Sequence, residues 1–225
     1  HYTKSQIDDV YTKLALKGNQ YTVEFRVYDD AVAYRFCGAR KDSVNVKDET
    51  VEYNFAGDPN TWTPWIAGEE QGERYSCSFE SYYTETKVSQ MPSKRLSILP
   101  LLADMGNGVK VAVTDVGDLD YPGMYIHSNF KNGNGLKGEF PGYPDLKNSD
   151  LNGQGYANFV KLFRKDYIAR VGGKQPLSWK VAVITEKDAQ LADCDIGRKQ
   201  SDGTSKGDYA WVKTGQVAWD WRNTL

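Results

Sequence analysis

The chain has 225 residues, enough for one large or two small domains with a full core. Its 28 basic and 30 acidic residues are mixed along the length and leave a net charge of −2, so there is no basic stripe and nucleic acid is excluded as an expected partner. No apolar run approaches the roughly 18 residues of a membrane helix, so no membrane partner is expected.

From the amino end, period-two alternation dominates. Val10, Thr12, Leu14 and Leu16 make one alternating face and Tyr21, Val23, Phe25 and Val27 another; Asp29-Asp30 supplies a turn, and Ala31–Phe36 returns as the hairpin partner. The loop Asn54–Trp65 then holds Trp62 and Trp65 among two prolines and several turn residues. Ordering such a loop costs entropy unless it packs against a sandwich or meets a ligand or a neighbouring domain, and both readings stay open. Further strands are expected at Tyr75–Tyr83, Ser97–Leu102, Val109–Thr114, Met124–Ser128, Asn158–Arg170 and Trp179–Ile184. Their spacing, with Gly, Pro, Asn and Asp between them, predicts an all-β sandwich.

Between two of these strands lie Asp115, Asp118 and Asp120, hard oxygen donors of the kind calcium takes, although their spacing is not that of an EF-hand. Aspartates that cap backbone amides in a turn are the plainer explanation. Thr185-Glu-Lys-Asp188 resembles a capping box and predicts a short helix through Leu191 and Ala192. The polar stretch 198–208 reads as a linker. After it, Val217, Trp219 and Trp221 alternate with Ala218, Asp220 and Arg222 in a strand pattern that suits stacking of a sugar ring on indoles, with its hydroxyls fixed by Asp220 and Asn223.

Cys37, Cys77 and Cys194 are odd in number and far apart, which speaks against zinc and allows one disulfide at most. His127 reads as an ordinary strand histidine. The acids Glu69, Glu70, Glu73, Glu80 and Glu85 are dispersed, and no specific pair can flank a glycosidic bond. No catalytic residue is assigned.

Taken in order, several segments resemble glycoside hydrolase family 97. Val23–Phe36 is similar to the family's "FRaYnDGvAFRY" hairpin, Phe79–Tyr83 to its "yES.Y" strand, and Thr114–Ile126 to "sEADLyDYPgMYL". Leu177–Leu191 is similar to "PWRvlviadkda.Ll", and Ala210–Asn223 to "sWIkPGkvaWDWWN". The resemblance implies a large antiparallel β-super-sandwich of galactose-mutarotase type over 1–197, with its first strands missing. A linker would follow over 198–208, and the lead-in and first strand of a truncated (β/α)8 barrel over 209–225. It also implies a non-catalytic part of an exo-acting α-glucosidase or α-galactosidase in a bacterial periplasm, with an oligosaccharide substrate and the barrel of the same parent chain as partners. Cut free, the sandwich face that the barrel would cover is expected to self-associate.

The family's calcium is held mainly by barrel carboxylates and by one sandwich glutamate, which falls on Asp115. Trp219, Asp220 and Asn223 fall where the family contacts sugar. Asp is one methylene shorter than Glu, so its oxygen falls short by about 1.5 Å. Calcium's loose shell of roughly six to eight oxygens can absorb that through a small loop shift. Gly117 and Asp118 stand in place of the family's Asp-Leu, which predicts an Asp118 that faces solvent, and Arg222 replaces a Trp. The alternative to this reading is a free-standing carbohydrate-binding sandwich built on Trp62, Trp65, Trp219 and Trp221.

Overall fold

A computed structural model describes residues 4, 6–66, 74–75, 81–92, 95–129, 134–150, 162–201, 211 and 213. Among them, one antiparallel sheet dominates. Its strands are β1 (Thr12–Lys17), β2 (Tyr21–Val27), β3 (Ala31–Gly38), β6 (Asn60–Thr63), β7 (Thr84–Lys87), β8 (Leu101–Asp104), β9 (Lys110–Val116) and β13 (Trp179–Thr185). They run in the order β1-β2-β3-β13-β9-β8-β6-β7. A three-stranded sheet of β10 (Tyr125–Asn129), β11 (Gly135–Glu139) and β5 (Glu52–Asn54) packs on one face, with the pair β4 (Val44–Val46) and β12 (Ala169–Val171) beside it. The chain is thus all-β and layered, as the alternation predicts.

Register fixes which residues share each face. Asp115, Lys180, Tyr34, Phe25 and Leu14 are successive Cα partners across five strands, so they line one face as a single row. Below the β9 end of that face lies an apolar core of Val51, Tyr121, Met124, Phe140, Ile168 and their neighbours, and next to it a second of Trp65, Leu101, Val113, Ile126 and Leu136. Ser97 stitches the layers by bridging to both Trp65 and Ile126. Trp65 is therefore a packing residue; Trp62 is half-buried in β6.

The opposite face is covered by two short helices, α1 (Asp188–Ala192) and α2 (Ile196–Lys199), over Ala33, Trp179, Val181 and Val183. The Gln190 side-chain oxygen accepts the Glu186 and Lys187 amides, so α1 begins at the predicted turn. Helix α2 runs across position 198, and Gln200 after it is buried and donates to the Tyr28 hydroxyl at 2.9 Å. Most of the stretch 202–225 lies outside the described residues.

The hairpin at the amino end differs from its alternation. In β2 the buried residue is Glu24, not the apolar set, and Leu14 and Leu16 in β1 are 53% and 52% exposed. The reason is electrostatic. Glu24 is ion-paired with Lys13, Arg26 and Arg35 at 3.0–3.4 Å, and both guanidiniums lie over the Trp179 ring at 4.6 and 4.2 Å. Cys37 and Cys194 are free thiols, and Cys77 lies outside the described residues.

Leu136 is fully buried. Leu136→Ala is expected to destabilise the fold by about 2–5 kcal/mol, whereas Leu14→Ala on the exposed edge should stay within about 0.5 kcal/mol. Urea unfolding of the two variants, with unchanged slope, checks both.

Candidate functional site

Strand β9 carries Asp115 one residue before its end. Gly117 follows at φ +90°, a conformation that lets the chain leave the sheet abruptly. The loop comes back so that the Met124 amide donates to Asp115 Oδ2 at 2.7 Å, and β10 starts directly after. Asp115 thus closes the loop that joins the large sheet to the small one. The turn-capping role and the expected donor role fall on the same carboxylate.

Asp118 does not face solvent. It folds back beside Asp115, and its Oδ1 is buried without a hydrogen-bond partner. Removal from water pushes its carboxyl up to about 6; the Asp115 charge adds to that, and Lys180 and the Ser178 hydroxyl work against it. Burial also raises Asp115, while the Met124 amide and Lys180 pull it down. Asp120 is exposed and stands apart from the pair.

The cation that answers these acids is Lys180, the cross-strand partner of Asp115. Its side chain is 0% exposed. Its ammonium donates to Ser178 Oγ at 2.6 Å, lies 3.5 Å from Glu49 Oε2, and sits over the Tyr121 and Phe140 rings at 5.3 and 5.2 Å. Tyr121 donates to the same Glu49 oxygen at 2.9 Å, and Glu49 Oε1 is buried without a hydrogen-bond partner. Sequence reasoning missed Lys180 and Glu49. A lysine that alternates with Trp179 and Val181 reads as the wet side of a strand, and Lys47-Asp-Glu-Thr50 reads as a polar turn.

Chemically, this is a place to present oxygen, not to cleave a bond. Asp115 and Asp118 stand side by side, the charge of the first raising the carboxyl of the second, whereas a glycosidase pair stands apart by roughly 5–9.5 Å with the sugar between. Among the described residues no group of three or more His, Cys, Asp or Glu is placed to hold a metal. Two hard carboxylates, one with an unpartnered buried oxygen, nonetheless fit calcium as part of a larger shell. Elsewhere, Glu139 is bound by Arg74 at 2.9 Å and by the Tyr75 hydroxyl at 2.6 Å, and His127 Nε2 lies 3.5 Å away. Burial raises the Glu139 carboxyl, but these partners outweigh it and hold it below its ordinary value. That cluster is a latch between the small sheet and the 74–75 turn. Trp219, Asp220 and Asn223 lie outside the described residues.

Comparison with known proteins covers most of the chain. The family profile described as Glycosyl-hydrolase 97 N-terminal matches residues 1–199. A retaining alpha-galactosidase from Bacteroides thetaiotaomicron is 33% identical over 226 residues, which is 99% of this chain and 34% of that protein. A Glycoside Hydrolase Family 97 enzyme from Pseudoalteromonas sp. strain K8, solved in complex with acarbose, superposes with a TM-score of 0.59 at 15% identity, over 91% of this chain and 31% of that one. A beta-arabinopyranosidase structure gives 0.55 at 20% identity, over 79% of this chain and 31% of the other. The two structures attest the fold, and the chain spans about a third of the length of each relative.

An acid whose pKa is raised by folding destabilises the fold when ionised. That penalty is absent below the ordinary value of 3.8, grows towards about 6, and is complete above it. Asp118→Asn is therefore expected to stabilise the chain at pH 7.5. Solvent screening of a half-buried carboxylate keeps the gain to about 1 kcal/mol, or about 2–4 °C in Tm. Thermal melts from pH 7.5 down to 4 should show the gap between variant and wild type closing as pH falls.

Proposed function

The chain belongs to glycoside hydrolase family 97 through its amino-terminal domain, and from that premise we propose that it is the non-catalytic sandwich of a calcium-dependent, exo-acting α-glycosidase. The observation that carries the reading is the placement of Asp115. It lies one residue before the end of a central strand of the large sheet, is oriented by the Met124 amide, and has a second acid, Asp118, beside it. This is a rigid mount for an oxygen donor that completes a metal shell built mostly by another domain.

In this reading Asp115 donates to a calcium whose other ligands come from the barrel of the parent chain. The bound ion would supply fixed positive charge against the oxygens of the sugar and of the departing group. The chain's own residues hold that donor in place and keep the base of the loop dry. Trp219, Asp220 and Asn223 would meet the sugar at the mouth of the barrel. The activity named for the Bacteroides relative favours a terminal α-galactoside over an α-glucoside. A periplasmic location follows from the same family reading. The exposed Leu14, Leu16 and Tyr21 support self-association of the isolated sandwich. A free-standing sugar-binding module has less support, because Trp65 is consumed by the core.

The test uses the full-length parent and the isolated chain side by side. The parent is expected to release aryl alcohol from an aryl α-galactoside and to lose that activity in chelator, whereas the 225-residue chain releases none. In the parent, Asp115→Ala should weaken calcium at least tenfold, about 1.4 kcal/mol or more. A parent that hydrolyses the substrate undiminished in chelator would sink the calcium reading. Activity that co-elutes with the isolated chain would sink the non-catalytic one.

A further inference from the structure

Lys180 is the feature of this molecule that the proposed function leaves unused. A lysine with no exposed side-chain surface in the middle of an eight-stranded sheet is an expensive group, and it persists only where its partners are fixed. Those partners form one electrostatic cluster. Tyr121 donates to Glu49 Oε2, which faces the Lys180 ammonium; that ammonium donates to Ser178 Oγ; and the Lys180 charge and the Ser178 hydroxyl both pull down the Asp118 carboxyl that the neighbouring Asp115 charge raises. Asp115 in turn accepts the Met124 amide. One buried cation thus answers three carboxylates drawn from two separate parts of the chain, β9 with its loop and the 47–50 turn.

We infer that Lys180 is a positioning residue for Asp115. Its ammonium, with Ser178 as the intermediate, holds the Asp115–Asp118 pair against the sheet despite their mutual repulsion, so that Asp115 keeps one fixed orientation toward a metal. The inference rests on the reading of Asp115 as a calcium donor. It adds what that reading lacks: the reason two acids can stand together at the end of an interior strand before any metal arrives. Cross-strand pairing sets the geometry, because Lys180 and Asp115 are directly opposite and share a face. The Tyr121 and Phe140 rings wall the ammonium in and prevent it from leaving for solvent. No proton moves in this role; the lysine acts through its charge and its tether.

The Met124 amide is a built-in reporter, since its hydrogen bond exists only while Asp115 is in place. Amide hydrogen exchange by NMR on the 225-residue chain reads it against Val113, two residues before Asp115 on the same strand. Lys180→Met is expected to speed Met124 exchange at least tenfold relative to Val113, and Lys180→Arg to restore most of the protection. Ser178→Ala, which keeps the charge and removes the tether, should give a smaller change in the same direction, and it carries the test if Lys180→Met does not fold. An unchanged Met124-to-Val113 ratio in both variants overturns the inference, as does equal loss at both amides, which marks a merely structural lysine.

The calcium part has its own readout in the full-length protein, where chelator competition gives the affinity. Lys180→Met should weaken calcium at least tenfold and Lys180→Arg should recover it. If Met124 responds and Asp115→Ala weakens calcium but Lys180→Met does not, the lysine positions the loop and not the donor, and the inference fails. If Asp115→Ala itself leaves calcium affinity unchanged, the calcium reading of Asp115 fails, and the exchange ratio alone decides whether Lys180 places that carboxylate.

Discussion

Everything at the edge of this sandwich depends on one buried ammonium. Lys180 lies under two aromatic rings, 2.6 Å from Ser178 and 3.5 Å from Glu49, with no surface left to water. An isolated charge in such a place is worth several kcal/mol against folding. It is tolerated because Glu49 and Ser178 face it and its strand partner Asp115 lies directly opposite. Break the lysine and Glu49 loses its cation, while Asp115 and Asp118 are left to repel each other in a medium that screens poorly. Remove Glu49 and the cation is stranded. The interaction is therefore a constraint on geometry more than a reserve of stability. It explains why a sheet that could have closed on a plain apolar core instead keeps a polar seam.

That seam sits where the large sheet hands over to the small one. Asp115 lies one residue before the end of β9, Gly117 turns the chain, and Met124 starts the return into β10. The same hydrogen bond that orients the carboxylate also closes the connection between layers, so the site and the fold share their fastening. The opposite face is organised differently: there Glu24 gathers Lys13, Arg26 and Arg35 around the Trp179 ring beneath two short helices. Trp179 and Lys180 are adjacent in sequence and point to opposite faces, so one dipeptide anchors both charge clusters.

The layered all-β architecture was legible because period-two alternation and turn residues survive in several long strands. The expected strands Tyr75–Tyr83, Ser97–Leu102 and Asn158–Arg170, however, give way among the described residues to β7, β8 and β12, which begin only at Thr84, Leu101 and Ala169. The strands Lys110–Val116, Tyr125–Asn129 and Trp179–Thr185 lie within two residues of their expected limits. Short strands such as Val44–Val46 and Glu52–Asn54 were not legible, since three residues carry no period. The amino-terminal hairpin kept its pairing but not its buried face, because a charge cluster around Trp179 outweighs the apolar row at an edge that nothing else covers among the described residues. Of the site, Asp115 was visible only through its motif. Asp118 was misjudged because its loop folds back beside Asp115 and Ser178, a placement its sequence neighbours do not show. Charges that are buried in mutual dependence leave no one-dimensional signal: each looks solvated until the others are placed.

The account stands on Asp115 as a donor mounted by the sandwich for a metal held elsewhere. The most direct measurement is a crystal structure of the full-length protein grown with calcium, with the ion located by its anomalous signal. The account predicts a calcium within roughly 2.3–2.6 Å of an Asp115 oxygen, with Lys180 still on Ser178 and Glu49. A calcium fully liganded by the other domain, with Asp115 turned back on Met124 and Asp118 and out of reach, would contradict it.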